Sequence, residues 1–221
     1  MFDNYLRTFE NETETTIRVF YTLKRFHEYL TDESVVQKVN NNLYFWRIFE
    51  VSLQTRLFIG LRRLFETKSD SLTFQNYINK CKANIHEFSI SSHKKRRLEL
   101  FPNRQDYLDN YLKSVYTPTI DDFHRLAKIV RDNNKGMKKI YLDIASKVFA
   151  HAIHTDKETI KSMSSALSFD KVEASLKAFW TVCINVHNMY HNGIEPRSQL
   201  IEYFYKDEVY NCLQKQLDVA S

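Results

Sequence analysis

An all-α fold is predicted for this 221-residue chain from three observations. Glycine and proline number only three each, far below ordinary usage, so the cheap sources of tight β-turns are missing. Apolar residues recur at helical spacing over long stretches. Polar residues suited to capping, such as Thr73, Thr119 and Ser168, stand just before several of those stretches. The expected form is an up-and-down bundle of about six to seven helices, folded as one domain over residues 1–221.

The first helix is expected from Phe2 to Leu30, with Phe9, Ile17, Phe20, Leu23, Phe26 and Leu30 recurring at mostly helical spacing. Thr31-Asp32-Glu33-Ser34 is a polar break. A second helix over Val35–Phe65 carries two adjacent stripes, Trp46, Phe49, Leu53, Leu57, Leu61 and Leu64 beside Tyr44, Ile48, Val51, Phe58 and Phe65. A helix apolar around most of its circumference is expected at the centre of a bundle. Ser71 or Thr73 caps a third helix reaching His86. Glu87–Pro118, with two of the three prolines, reads as a loop.

Thr119 precedes Asp121 and Asp122, which suit a helix N-terminus, and that helix runs to Arg131. Asp132–Gly136 is a turn or kink. Met137–His154 follows as a helix with Met137, Tyr141, Ile144, Val148 and His151 on one face. Thr155–Ser168 reads as a second loop. Ser168 then caps a helix over Phe169–His191 whose stripe is Val172, Leu176, Phe179, Cys183, Val186 and Tyr190. Asn192-Gly193 closes it, Pro196 prevents continuation, and a last helix covers Ser198–Leu217.

Hydrophobic residues make up 43% and charged residues 27%, the balance of a globular protein rather than a disordered one. Cys81, Cys183 and Cys212 are odd in number and widely spaced, so neither a disulfide framework nor a cysteine metal site is expected. Met1–Glu10 lacks the apolar core of a secretory leader, and no stretch of 18 apolar residues suggests a membrane span. A cytoplasmic location is expected, with no membrane partner. The net charge of +5, with a pI near 8.9, permits a polyanionic partner without requiring one.

Two segments carry a resemblance to a known family. Asn41–Thr73 contains Leu43-Tyr44-Phe45-Trp46, then Leu61-Arg62-Arg63-Leu64-Phe65-Glu66, then Ser71-Leu72-Thr73. It resembles the abortive-infection U (AbiU2-like) branch of the HEPN superfamily, in which a long apolar helix ends in Arg-Leu-Phe-Asp before a short polar loop and Ser-Leu. Glu66 stands where Asp is usual. Leu142–His151 resembles the family's signature helix: Lys147, Ala150 and His151 match, while Ala145 and Ser146 stand where Arg and Asp are expected. The resemblance covers roughly residues 10–160, with helices over 169–217 completing the bundle.

The resemblance implies a helical protein of a prokaryotic defence or toxin–antitoxin type system. Nucleases of the superfamily dimerise to bring two Arg-x4–6-His motifs into one cleft. They cleave RNA without metal, by attack of a 2′-OH on the adjacent phosphate. Such chemistry needs an acid or base titrating near neutrality, which His supplies, and a cation against the developing phosphorane charge. On this basis His151 is the candidate acid/base, Lys147 the candidate phosphate contact and His154 a further candidate. The implied partners are a second copy, RNA, and an antitoxin or nucleotidyltransferase. The alternative is a catalytically inert helical module that binds a protein partner.

Other features are read from the residues alone. His93-Lys94-Lys95-Arg96-Arg97 is the densest charge run. It is either a solvated surface or an RNA-contacting patch of Lys94, Lys95, Arg96 and Arg97, with Phe101 near enough to stack on a base. The pairs His151/His154 and His187/His191 each share a helix face, but no carboxylate completes a metal motif, so no metal and no cofactor is expected. Tyr203, Phe204 and Tyr205 cannot all be buried by one helix, and part of that surface is expected to form a homodimer interface.

Overall fold

Helix α1 (Phe2–Tyr29) is the axis of the fold in the computed structural model, which describes residues 2–66, 71–135 and 168–217, without the side chains of residues 105 and 106. Helices α2 (Glu33–Asn41), α3 (Leu43–Phe65), α4 (Phe74–Ala83), α5 (Ile90–Leu100), α6 (Gln105–Ser114), α7 (Ile120–Asn133), α8 (Phe169–His187) and α9 (Lys206–Leu217) follow. No strand occurs among the described residues. The all-α expectation holds, with nine helices among the described residues rather than six or seven.

Helix α1 packs on α3, α8 and α9, and α8 also packs on α7. Phe9, Phe20 and Tyr21 of α1, Leu61 and Leu64 of α3, Tyr77 and Cys81 of α4, Phe123 of α7 and Phe179 and Cys183 of α8 share one core. A smaller cluster joins Phe26 and Tyr29 to Val35, Val39, Leu213 and Leu217. Thr13 and Thr16 are buried on α1, where their hydroxyls donate to the carbonyls of Phe9 at 2.9 Å and Glu12 at 2.8 Å. That bond satisfies a polar group inside the core without a distant partner.

Several boundaries differ from expectation. The helix expected over 35–65 is two helices broken at Asn42, whose φ and ψ are −134° and 47°. Asn40-Asn41-Asn42 explains the break, because short amides compete for backbone groups and favour helix ends. Helix α3 is also not central. Leu57, Leu61 and Leu64 face the core, while Leu43, Tyr44, Phe45, Ile48, Val51 and Ile59 are exposed. Tyr44, Ile48, Val51 and Ile59 lie on one face at helical spacing.

The loop expected over 87–118 contains α5 and α6. Ser89 caps α5, its hydroxyl oxygen accepting the Ser92 N–H at 3.3 Å. The helix ends before Phe101-Pro102, as the restriction on a residue preceding proline requires. At the other end of the chain, the helix expected over 169–191 is α-helical only to His187. A π segment over Asn188–Asn192 follows, and Gly193 closes it in the left-handed region at φ 61°.

The last helix starts at Lys206 rather than Ser198. Asn185 of α8 accepts the Arg197 N–H at 2.8 Å and donates to the Arg197 carbonyl at 3.0 Å, and the Thr181 hydroxyl oxygen accepts the Ile201 N–H at 2.8 Å. These side chains satisfy the backbone of the segment before α9 in place of helical bonds. Tyr203 lies in that segment, buried, with its hydroxyl donating to Glu14 and accepting from Arg18. Only Phe204 and Tyr205 of the aromatic triplet are exposed. The helix expected over 137–154 and the loop over 155–167 lie outside the described residues.

Candidate functional site

The ends of α3 and α7 meet the start of α4 and the middle of α8 around a cavity of about 360 Å³. Its apolar walls are Leu64 and Phe65 of α3, Phe74 of α4, Ala127 and Val130 of α7, and Phe179 of α8. The Phe179 ring stands edge-on to Phe65 at 5.1 Å and to Phe74 at 5.3 Å between centroids, the arrangement favoured by aromatic quadrupoles. Local sequence places each wall. Helix α3 ends on the apolar pair Leu64-Phe65, and Thr73 caps α4 so that Phe74 is its first residue, with the Asn76 N–H reaching the Thr73 hydroxyl oxygen at 3.2 Å.

Glu66, Gln75, Arg131, Asn134 and Lys135 complete the lining. Asn134 is the C-cap of α7 and only 6% exposed. Its Nδ2 donates to the Val130 carbonyl at 2.6 Å, which fixes the amide orientation, since only the nitrogen can donate. Its Oδ1 is buried without a hydrogen-bond partner. Arg131 and Lys135 are exposed, and Lys135 lies 3.9 Å from Asp132.

A second polar locus forms where α5 crosses the end of α8. Arg96 donates to the carbonyls of Glu87 and Tyr190, each at 2.8 Å, and its guanidinium lies 4.0 Å from the centre of the Tyr190 ring. Arg97 donates to the His191 carbonyl at 2.9 Å and stacks on Tyr111 at 4.6 Å. Both arginines therefore bond carbonyls at the end of the α8–π helix, the position that favours cations. Lys94 and Lys95 are exposed. Phe101 and Tyr107 are exposed as well, their rings 6.3 Å apart. The basic run thus divides into a structural pair and a solvent-facing pair.

The pKa values of three histidines at this locus are shifted in two directions. His93 is buried with Nδ1 2.7 Å from the Tyr111 hydroxyl. Burial and the neighbouring Arg96 push its pKa down to about 4. Burial and the adjacent His187 push His191 down to about 4 as well. His187 is raised instead, because its Nδ1 lies 3.3 Å from the Glu10 carboxylate. The rings of His187 and His191 are 4.5 Å apart. No group of three or more His, Cys, Asp or Glu side chains able to hold a metal ion occurs among the described residues.

His151, Lys147 and His154 lie outside the described residues. The cavity is walled by Leu64-Phe65-Glu66, the residues that carry the first part of the family resemblance. Asn134 and Arg131 were not legible as site residues. Asn133-Asn134 signals only a helix end, and local spacing does not reveal that the Asn134 side chain is buried. No helix among the described residues is long and apolar enough to cross a membrane. A sequence model of the HEPN_AbiU2 family, described as AbiU2, matches residues 1–211. The match takes in helix α8 and the start of α9, beyond the segments that carry the resemblance. No curated protein and no solved structure matches the chain.

Proposed function

The chain belongs to the AbiU2 family of HEPN domains, and from that membership we propose that it is an RNA- or nucleotide-binding protein of a prokaryotic defence or toxin–antitoxin type system. The observation that carries this reading is the meeting of the family's Leu64-Phe65-Glu66 segment with an apolar cavity that has a few convergent polar groups, the usual form of a small-ligand site. The exposed Lys94 and Lys95 of α5, and the exposed rings of Phe101 and Tyr107, support contact with a nucleic-acid strand.

The catalytic form of this reading is metal-independent RNA cleavage, with His151 as acid/base, Lys147 at the phosphate and His154 beside them. A second reading, an inert module that binds RNA or a protein partner, is favoured by one specific feature. Ile144, Ala145 and Ser146 occupy the positions seven, six and five residues before His151, so no guanidinium stands at the motif offset. Lys147, four residues before His151, supplies charge without the bidentate fork of arginine.

The protein acts as a homodimer in this proposal, paired through α3. Tyr44, Ile48, Val51 and Ile59 share one exposed face of the helix, and a contiguous exposed apolar stripe marks an interaction surface. A two-fold axis sets the stripe against itself, apolar on apolar.

The test is incubation of the purified chain with single-stranded RNA in chelator, beside His151→Ala. Cleavage that the variant loses establishes the nuclease. Salt-sensitive binding without cleavage establishes the binder. If the chain neither binds nor cleaves RNA and binds no nucleotide, the reading fails and a protein-partner role replaces it.

A further inference from the structure

On the reading that this chain binds RNA or nucleotides, we infer that the small pocket between α5 and the π segment after α8 binds a phosphate group of that ligand, held by the Arg97 guanidinium with His191 and Asn192 beside it. The pocket, of about 90 Å³, is lined by His93, Arg96, Arg97, Leu100, His191 and Asn192. His93, Arg96, Arg97 and Leu100 stand at helical spacing on one face of α5. The volume is far below the ~300–1,000 Å³ of a pocket that encloses a whole small molecule. It suits one polar group, with the rest of the ligand outside.

Charge says which group. The lining holds two guanidiniums and no carboxylate. Both Nη atoms of Arg96 are committed to carbonyls, and Nη1 also lies 3.7 Å from the Glu87 carboxylate. Arg97 differs. Its Nη2 donates to the His191 carbonyl and, at 3.4 Å, to Asn192 Oδ1, both neutral acceptors. Its Nε and Nη1 bond no described residue, and neither is sealed from solvent. A half-buried guanidinium with open donors and no carboxylate partner among the described residues is suited to phosphate. The Tyr190 and His191 carbonyls, whose partial negative charge at a helix end would oppose an anion, are already engaged by these two guanidiniums. The carboxylates that touch lining residues, Glu87 on Arg96 and Asp3 on His191 at 3.5 Å, stand outside the lining. The side chains of Arg96 and His191 are 21% and 31% exposed, within reach of a ligand. His93 Nε2 is sealed, so His93 shapes the pocket and offers that nitrogen to no ligand.

Such a phosphate comes either from the backbone of an RNA strand or from a free nucleotide, and the recognition chemistry is the same. The experiment follows the His191 ring by NMR in the full chain during titration with inorganic phosphate, with ionic strength held constant by chloride. It is repeated with Arg97→Ala, Leu100→Glu and Phe204→Glu. Leu100 is exposed, so Leu100→Glu sets a carboxylate at the pocket without removing a bond of Arg97, and the test survives if Arg97→Ala fails to fold. Phe204→Glu makes the same change of charge at another exposed position. An anion in the pocket favours the imidazolium form, so it raises the His191 midpoint from about 4. The other groups that act on His191, namely His187, Asp3, Arg96 and Arg7, are the same in every variant.

Phosphate is expected to move His191 saturably in the parent and in Phe204→Glu, and to need about tenfold more in Leu100→Glu and Arg97→Ala. A single-stranded RNA oligonucleotide that produces the same shift identifies a strand as the source, and each pocket variant then lowers the slope of log affinity against log salt by about one. AMP producing the shift where the oligonucleotide does not identifies a free nucleotide. An unmoved His191 overturns the inference, as does a shift equal in Leu100→Glu or lost equally in Phe204→Glu. If RNA or nucleotide binds at full strength and unchanged slope in the folded pocket variants, the pocket falls and the binding reading stands. If phosphate moves His191 but neither RNA nor nucleotide binds, the phosphate site stands and the reading falls.

Discussion

Gly60 of α3 sits so close to Thr16 of α1 that a β-carbon at position 60 would lie 2.3 Å from the Thr16 hydroxyl oxygen and 2.8 Å from its methyl group. Thr16 cannot yield easily: it is buried, and its hydroxyl is bonded to the Glu12 carbonyl. Gly60→Ala is expected to destabilise the protein by about 1–3 kcal/mol through overpacking, read as a lower denaturation midpoint in urea. Thr16→Ala in the same chain should recover part of the loss, since residues in contact couple. Strictly additive effects would disprove the close approach.

Glu173 of α8 joins two helices. Its carboxylate lies 2.6 Å from Lys24 Nζ and accepts the Tyr21 hydroxyl at 3.1 Å. Burial works against the charged form, yet the bonds from Lys24 and Tyr21 and the charges of Lys24 and Lys177 together outweigh it and hold the carboxyl below its usual range. A depressed carboxylate contributes stability above its unfolded pKa of about 4.3 and loses it as pH falls through the folded value. Glu173→Gln should therefore cost roughly 1.5–3 kcal/mol at pH 7, and the difference from the parent should shrink by pH 3. An equal difference at both pH values would show that the charge is not the source.

The histidine cluster makes an ordering that proton NMR can read. His187 should protonate at a pH above the usual histidine value, while His191 and His93 remain neutral down to about 4. Both depressed rings take up protons in the unfolded chain before the folded one. Stability should therefore fall as pH drops from about 6.5 towards 4. His187 contributes in the opposite sense: its share is present below about 6.5 and is lost as pH rises through its folded value. Glu10→Gln should bring the His187 midpoint down; an unmoved midpoint would remove Glu10 as the cause.

Neighbouring cations of α5 should behave differently on substitution. Arg96→Ala removes two carbonyl bonds and the Tyr190 stack, a loss of roughly 2 kcal/mol of stability. Lys94→Ala and Lys95→Ala should leave unfolding unchanged. If these lysines meet phosphates, each should reduce the slope of log affinity for RNA against log salt by about one. A destabilised Lys95→Ala would contradict this division.

Ile48→Glu places a charge in the middle of the exposed α3 stripe. Sedimentation equilibrium should find a dimer for the parent chain and a monomer for the variant. A parent chain that stays monomeric at high concentration would remove α3 as a pairing face.

How far these features could be read beforehand depends on the range of the interaction involved. Thr73 and Ser168 were recognisable as caps because a cap involves neighbours three residues apart. The break at Asn42 was hidden by the apolar periodicity on both sides of it, although three successive asparagines mark it. The α5 segment reads as a loop because its sequence is mostly polar and charged. It is held by Arg96 and Arg97 bonding the end of α8, some 94 residues away. Tyr203 belongs to a triplet that one helix cannot bury whole, and nothing local reveals that its hydroxyl donates to Glu14 and accepts from Arg18.

Helical content, the capped starts of α4 and α8 and the left-handed stop at Gly193 follow from composition and local spacing. Scarce glycine and proline, periodic apolar residues and polar caps act within one or two helical turns. Tertiary packing alone settled which face of α3 is covered, that Asn134 keeps an unpaired oxygen, and that Lys24 meets Glu173 across 149 positions. Those outcomes require residues far apart in the chain to occupy the same volume, and the spacing of neighbours carries no record of which distant surfaces will meet.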